Sequence, residues 1–125
     1  MANHQKNSPP SSIHKDRTFV LQGIQKSIEN GAGKPIPVLR QEHTEEHFFY
    51  LCLRYVTTTK KALCEAVGIP VEAGCRYKRR YEKDGLLVQS TDEVVCPLTR
   101  HGAHLLSTNP DEFEELRRSN QLKLF

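Results

Sequence analysis

Two short helical patterns that meet at a tight turn constrain the fold of this chain most strongly. Lys60–Val67 has helical spacing and ends at Gly68, and Val71–Asp84 has the length and periodicity of a further helix. Cys64, four residues before Gly68, is small enough to let the two helices approach closely, and Gly68 supplies the left-handed turn between them. The sequence therefore predicts a helix-turn-helix.

A first core helix is predicted ahead of this pair. Thr44 precedes an apolar stripe at helical spacing that runs to Tyr55. Glu45 and Glu46 follow the cap, where acidic side chains stabilise the positive end of a helix dipole.

The segment after the helix pair is predicted to contain a β-hairpin and one more helix. Leu86–Ser90 and Val94–Leu98 are short apolar runs, separated by the polar turn Thr91–Glu93, which is typical of a hairpin. Thr99 is predicted to cap a last helix, which contains a Leu-Leu pair and ends at Asn109.

Composition divides the chain into four parts. Residues 1–17 are polar and are predicted to be a disordered tail, because one isolated isoleucine cannot offset the entropy of ordering. Residues 18–37 are predicted to form a short amphipathic helix followed by a Gly- and Pro-rich linker. Residues 38–110 are predicted to be the folded domain, and residues 111–125 a C-terminal tail.

Several classes of protein are excluded at this level. A chain of 125 residues supports one domain. No apolar run approaches the roughly 18 residues that span a bilayer, so a cytoplasmic protein with no membrane partner is expected. The four cysteines lie far apart without a C-x-x-C motif, which argues against structural zinc or a disulfide framework. No catalytic triad has positional support, so we expect no enzymatic activity, no cofactor and no metal.

One sequence motif that resembles a metal-binding site is rejected. His43–His47 reads H-x-x-E-H, in which two imidazoles on one helical face hold zinc in some peptidases. Such enzymes need a third ligand from a large downstream domain, and Thr44 as the helix cap leaves His43 outside the helix. We interpret this segment as a polar helix start.

The order of these elements resembles the winged helix-turn-helix superfamily of bacterial type. The resemblance covers about residues 44–107 and rests on the segments LCEAVGIP, RYEKDGLL and LTRHGAHLL. It implies a mainly α fold with a small β-hairpin wing, in which helix Val71–Asp84 enters the major groove of double-stranded DNA. Gly74 departs from the pattern, because a β-branched residue is more usual there, and it costs roughly 1 kcal/mol relative to Ala.

The distribution of charge favours a DNA-binding surface. Thr57–Gly85 contains seven Lys or Arg residues and four Asp or Glu residues, an excess equal to the net charge of +3 on the whole chain. On a helical wheel Tyr77 and Tyr81 share the face that packs on the preceding helix. The opposite, DNA-facing set is predicted to be Ala73, Arg76, Arg79, Arg80 and Lys83. Arg76 is best placed to read bases, because a guanidinium binds guanine O6 and N7 bidentately.

Contacts with the DNA backbone are predicted from flanking residues. Thr58, Thr59 and Lys60 begin a helix, where hydroxyls, free backbone N–H groups and a cation can hold a phosphate. The predicted hairpin turn is acidic and would repel phosphate, so Arg100 has to supply any further contact. The alternative is a solvated basic face without a nucleic-acid ligand.

The C-terminal pentapeptide QLKLF resembles the QL-x-LF peptide by which bacterial replication and repair proteins dock on the sliding clamp. The resemblance implies that the clamp is bound by Gln121, Leu122, Leu124 and Phe125. Lys123 stands where Ser or Asp is usual. The alternative is that these apolar side chains pack back on the first helix of the domain, and the sequence favours neither interpretation.

The sequence therefore predicts a sequence-specific DNA-binding protein, either a transcriptional regulator or a replication accessory protein. Palindromic sites would require a homodimer. The alternative from a different class is a winged-helix adaptor that does not bind DNA and is recruited to the sliding clamp through QLKLF.

Overall fold

The computed structural model describes residues 9–118, with side chains from Arg17 onward. Its helices are α1 (Pro9–Ala32), α2 (Ile36–Glu42), α3 (Glu45–Tyr55), α4 (Lys60–Val67), α5 (Val71–Lys83) and α6 (Pro110–Arg117). Its strands are β1 (Thr58–Thr59), β2 (Val88–Gln89), β3 (Val94–Val95), β4 (Gly102–Ala103) and β5 (Leu105–Ser107). The fold is mainly helical with a small antiparallel sheet, and none of the helices described here is long and apolar enough to cross a membrane.

The hydrophobic core lies between α1, α3, α4 and α5. Phe48, Phe49 and Leu53 of α3 are fully buried, together with Ile28 of α1 and Leu63 of α4. Burial of each such side chain contributes roughly 1.5–3 kcal/mol. This core fixes the orientation of α5 relative to α3, and that orientation decides which residues of α5 face solvent.

The structure corrects the predicted N-terminal boundaries. Helix α1 begins at Pro9, so residues 9–17 are helical and not part of a disordered tail. Extending a helix that is already nucleated is easier than starting one, and composition alone does not reveal this. The predicted linker is also shorter, because α2 begins at Ile36, whose backbone N–H donates to Glu29 Oε2 at 2.8 Å. Helix α1 therefore belongs to the folded domain.

The turn between α4 and α5 lies where the sequence predicts it. Gly68 has φ 78° and ψ 33°, and its N–H donates to the Cys64 carbonyl at 2.9 Å. The left-handed backbone favours glycine here. Gly74 lies directly against α4, because a Cβ atom at this position would be 2.7 Å from Cys64 Sγ.

The strand pairing differs from the predicted hairpin. The sheet order is β1-β5-β2, with Leu106 opposite both Thr58 and Gln89, and a second pair joins β3 to β4. Strands 88–89 and 94–95 are therefore not partners of each other. The turn of the β3–β4 hairpin is the segment 96–101, where the Cys96 N–H donates to the His101 carbonyl at 2.8 Å.

The helix predicted after Thr99 is also wrong. Leu106 is 1% exposed and lies in β5, between β1 and β2. Both neighbouring strands need backbone partners, and only an extended central strand supplies them on its two edges. Thr99 Oγ1 accepts from the His101 N–H at 3.2 Å, which stabilises a turn instead of starting a helix.

The C-terminal boundary is corrected as well. Asn109 caps α6 and does not end a helix, since its side chain accepts from the Asp111 N–H at 3.0 Å. Helix α6 packs on β2 and β5 and buries Leu116, so residues 110–117 belong to the fold and not to a tail. The clamp-binding prediction for Gln121, Leu122, Leu124 and Phe125 lies outside the described residues.

Candidate nucleic-acid interface

Helix α5 presents a basic face to solvent. The four charged residues predicted to face outward, Arg76, Arg79, Arg80 and Lys83, are exposed and line an open depression of about 510 Å³ together with Asp84. Arg76 and Arg79 form no ion pair within the described part of the chain. Their guanidinium groups are therefore accessible to bidentate acceptors.

Ala73 does not share this face. It is 6% exposed and belongs to the core cluster that also contains Ile69, in the turn before α5. Helix α5 packs against α3 as well as α4, whereas a helical wheel considers only one packing side. The predicted outward position of Ala73 is wrong.

Two tyrosines on the inner face set the rotation of α5. Tyr77 Oη donates to Glu45 Oε1 at 2.8 Å, and Tyr81 Oη donates to the Glu46 carbonyl at 3.1 Å. The hydrogen bond to Glu45 raises the pKa of Tyr77, and burial raises the pKa of Tyr81, so both phenols remain donors at neutral pH. Both rings pack against the core. Their ring partners are Phe49 and Tyr50 of α3, whereas the prediction placed them against α4.

One arginine of the basic face is already paired. Arg80 Nη1 lies 3.0 Å from Glu46 Oε2, while 68% of the Arg80 side chain is exposed. An exposed ion pair contributes only about 0–1 kcal/mol. A phosphate can therefore replace this carboxylate at little cost.

The threonines predicted to hold phosphate are not at the surface. Thr58 is 6% exposed and Thr59 is fully buried, because β1 pairs with β5. Thr59 Oγ1 accepts from the Ala62 N–H at 3.3 Å and lies 3.2 Å from Cys96 Sγ. Their predicted position at the surface is wrong, and Thr59 acts as the cap of α4.

Three lysines meet in a cleft between α4, α5 and β4. Lys60, Lys61 and Lys78 line a cavity of about 280 Å³ together with His104 and Glu93. Lys60 Nζ donates to Cys75 Sγ at 2.9 Å, whereas Lys61 is exposed. Sequence reasoning missed Lys61 and Lys78, because the opposite wall of the cleft comes from strands whose pairing it did not predict.

The hairpin turn carries basic residues and not acidic ones. Arg100 is exposed in the turn between β3 and β4 and has φ 65°, an uncommon backbone conformation for a residue with a side chain. The acidic segment that was predicted to form the turn, Thr91–Glu93, instead joins β2 to β3. The turn of the β3–β4 hairpin, residues 96–101, therefore contains no acidic side chain that would repel phosphate.

No protein-family model matches the chain, and no curated protein or solved structure matches it either. The function is therefore argued from the geometry of these surfaces.

Proposed function

We propose that this chain is a winged helix-turn-helix protein that binds double-stranded DNA sequence-specifically through α5. The strand order β1-β5-β2 beside α3, α4 and α5 is compatible with this fold, and the β3–β4 hairpin then corresponds to the wing. The protein is a non-enzymatic cytoplasmic regulator or replication accessory protein in this proposal.

The observation that carries the proposal is the exposed arginine face of α5. Its 13 residues extend over about 20 Å, and an α-helix fits the major groove, which is roughly 12 Å wide. Because Tyr77 and Tyr81 hold the opposite face against α3, the orientation of Arg76 and Arg79 is set before DNA binds. Preorganised guanidinium groups lose little entropy on binding.

The remaining basic groups are assigned to the DNA backbone. Arg80 and Lys83 continue the same face towards the end of α5. Lys61 lies at the start of α4, beside the lysine cleft, and Arg100 lies in the hairpin turn. Contacts from these positions fix the register of the protein on the duplex and carry no sequence information.

The test begins with selection of bound sequences from random duplex DNA by the full chain. Fluorescence anisotropy with a selected duplex then measures affinity at several salt concentrations, and log K is expected to fall linearly with log salt. Arg76→Ala is expected to lose about 1–3 kcal/mol and to relax the preference at one base position, whereas Lys61→Ala weakens all sequences and reduces the salt slope by about 1.

Arg54→Ala is the matched control. Arg54 is exposed in the last turn of α3, whereas the side chains of α3 that meet the tyrosines of α5 come from its first two turns. This variant removes the same charge and is expected to retain affinity and sequence preference. If Arg54→Ala and Arg76→Ala lower the affinity for the selected duplex equally, Arg76 contributes only nonspecific electrostatic attraction to DNA. If the chain binds a sliding clamp but no duplex at low salt, the adaptor alternative is correct.

A further inference from the structure

The lysine cleft between α4, α5 and β4 gathers positive charge in a concave part of the surface. Three lysines line this cavity of about 280 Å³, namely Lys60, Lys61 and Lys78. Glu93 is the acidic residue on its wall, so three positive charges and one negative charge leave +2 with histidine counted as neutral. A concave surface of one sign focuses the electric field and raises the local concentration of anions.

Two of the three ammonium groups have no carboxylate partner. Lys60 and Lys61 form no ion pair among the residues that the structure describes. Lys60 Nζ donates to Cys75 Sγ at 2.9 Å, but a thiol sulfur is a weak acceptor. An ammonium group has three donors, so Lys60 retains two for a stronger acceptor.

The third ammonium group is paired but not saturated. Lys78 Nζ lies 3.0 Å from Glu82 Oε1, four residues along the same helix, and 22% of the Lys78 side chain is exposed. An ion pair of this kind contributes little to stability, and the flexible stem of lysine lets its two other donors reach a ligand in the cleft. Because Lys60 and Lys78 are partly buried, salt screens their charges less than those of fully exposed lysines.

The size and charge of the cleft select the ligand. Drug-sized ligands occupy cavities of about 300–1,000 Å³, so a cavity of about 280 Å³ suits a smaller molecule. The phosphate group of a monoester carries a charge of about −1.5 to −2 at neutral pH, which matches the +2 of the cleft. A phosphodiester of the DNA backbone carries about −1.

We propose that the lysine cleft binds the phosphate dianion of a small phosphomonoester through Lys60, Lys61 and Lys78. The side-chain amide of Gln89, which also lines the cleft, offers a further donor. Lys61 is also assigned to the DNA backbone in the proposed function, so the bound monoester competes with DNA for this residue. The site itself does not rest on DNA binding, because its test contains no DNA.

Isothermal titration calorimetry compares methyl phosphate with dimethyl phosphate in low-salt buffer at neutral pH. The two differ by one methyl group and about one charge. Methyl phosphate is expected to bind once per chain with a Kd below about 1 mM, and dimethyl phosphate at least about fivefold more weakly.

Single substitutions locate the charges that matter. Lys61→Gln and Lys78→Gln are each expected to lower the affinity for methyl phosphate about fivefold, the upper end for one exposed ion pair. Lys26→Gln, which removes the same charge from an exposed position of α1, is the control and is expected to retain the affinity. Glu93→Gln is expected to raise the affinity, a result that a folding defect would not produce.

NMR gives the location independently. Methyl phosphate is expected to shift the backbone amide signals of Gly102 and Ala103, which line the cleft, and circular dichroism confirms that each variant is folded. The proposal is overturned if millimolar methyl phosphate does not bind, if dimethyl phosphate binds equally well, or if Lys26→Gln loses as much affinity as Lys61→Gln. It is also overturned if the shifts centre on Asp84, because the anion would then bind the arginine face of α5.

Discussion

Replacing Gly74 by alanine tests the close approach of α4 and α5 that holds the basic face of α5 in place. In an open helix this change is stabilising, because alanine exceeds glycine in helix propensity by about 1 kcal/mol. At position 74 the new Cβ atom would be 2.7 Å from Cys64 Sγ and 3.6 Å from Phe49 Cε1. At position 74 the substitution of glycine by alanine is therefore expected to destabilise the protein.

The magnitude follows from the overlap. Ordinary van der Waals contact begins near 3.4 Å, so the Cβ atom is about 0.7 Å too close to the sulfur of Cys64, a residue that is only 1% exposed. Overpacking of a core costs about 1–3 kcal/mol. After subtraction of the gain in helix propensity, Gly74→Ala is expected to lower the free energy of unfolding by up to about 2 kcal/mol.

Urea denaturation followed by circular dichroism measures this change, with Gly23→Ala as the matched control. Gly23 lies within α1, and a Cβ atom added there would have no neighbouring atom within 4 Å, so alanine is expected to stabilise by about 0.5–1 kcal/mol. In a Cys64→Ala background the penalty at position 74 should disappear, since the clashing sulfur is gone. If Gly74→Ala stabilises the protein as Gly23→Ala does, the two helices are not in the contact described.

Three further predictions concern other parts of the chain. Tyr81→Phe removes the hydrogen bond to the Glu46 carbonyl and is expected to cost about 1 kcal/mol, and Tyr81→Ala about 3 kcal/mol, both measured in urea. Burial raises the pKa of Cys52 to about 12 and that of Cys64 to about 11, so above pH 9.0 the thiols ionise in the unfolded chain before they ionise in the folded protein. The free energy of unfolding should therefore fall as the pH rises above 9.0, and Cys52→Ala should make this decline shallower. Deleting residues 121–125 should leave stability and DNA binding unchanged and abolish binding to a bacterial sliding clamp in surface plasmon resonance; an unfolded deletion variant would instead favour tail packing on the domain.

The sequence determined the elements whose boundaries depend on neighbouring residues. Thr44 caps α3 and Gly68 ends α4 in the left-handed region, as predicted, because caps and backbone preferences act over one helical turn. The inner position of Tyr77 and Tyr81 followed from helical periodicity, but the contacts that hold them come from α3, whereas the preceding helix was predicted. Arg76 and its basic neighbours were predicted to be exposed because they lie on the helix face opposite the tyrosines, and they are at the surface.

The tertiary structure alone decided which distant segments meet. Leu105 and Leu106 suit a helix as well as a strand, and only the open backbone edges of β1 and β2 select the strand. The burial of Ala73 and the cleft between α5 and the hairpin likewise depend on packing from more than one side. Local patterns encode how a segment folds, whereas burial and strand pairing depend on the neighbours that long-range packing brings to it.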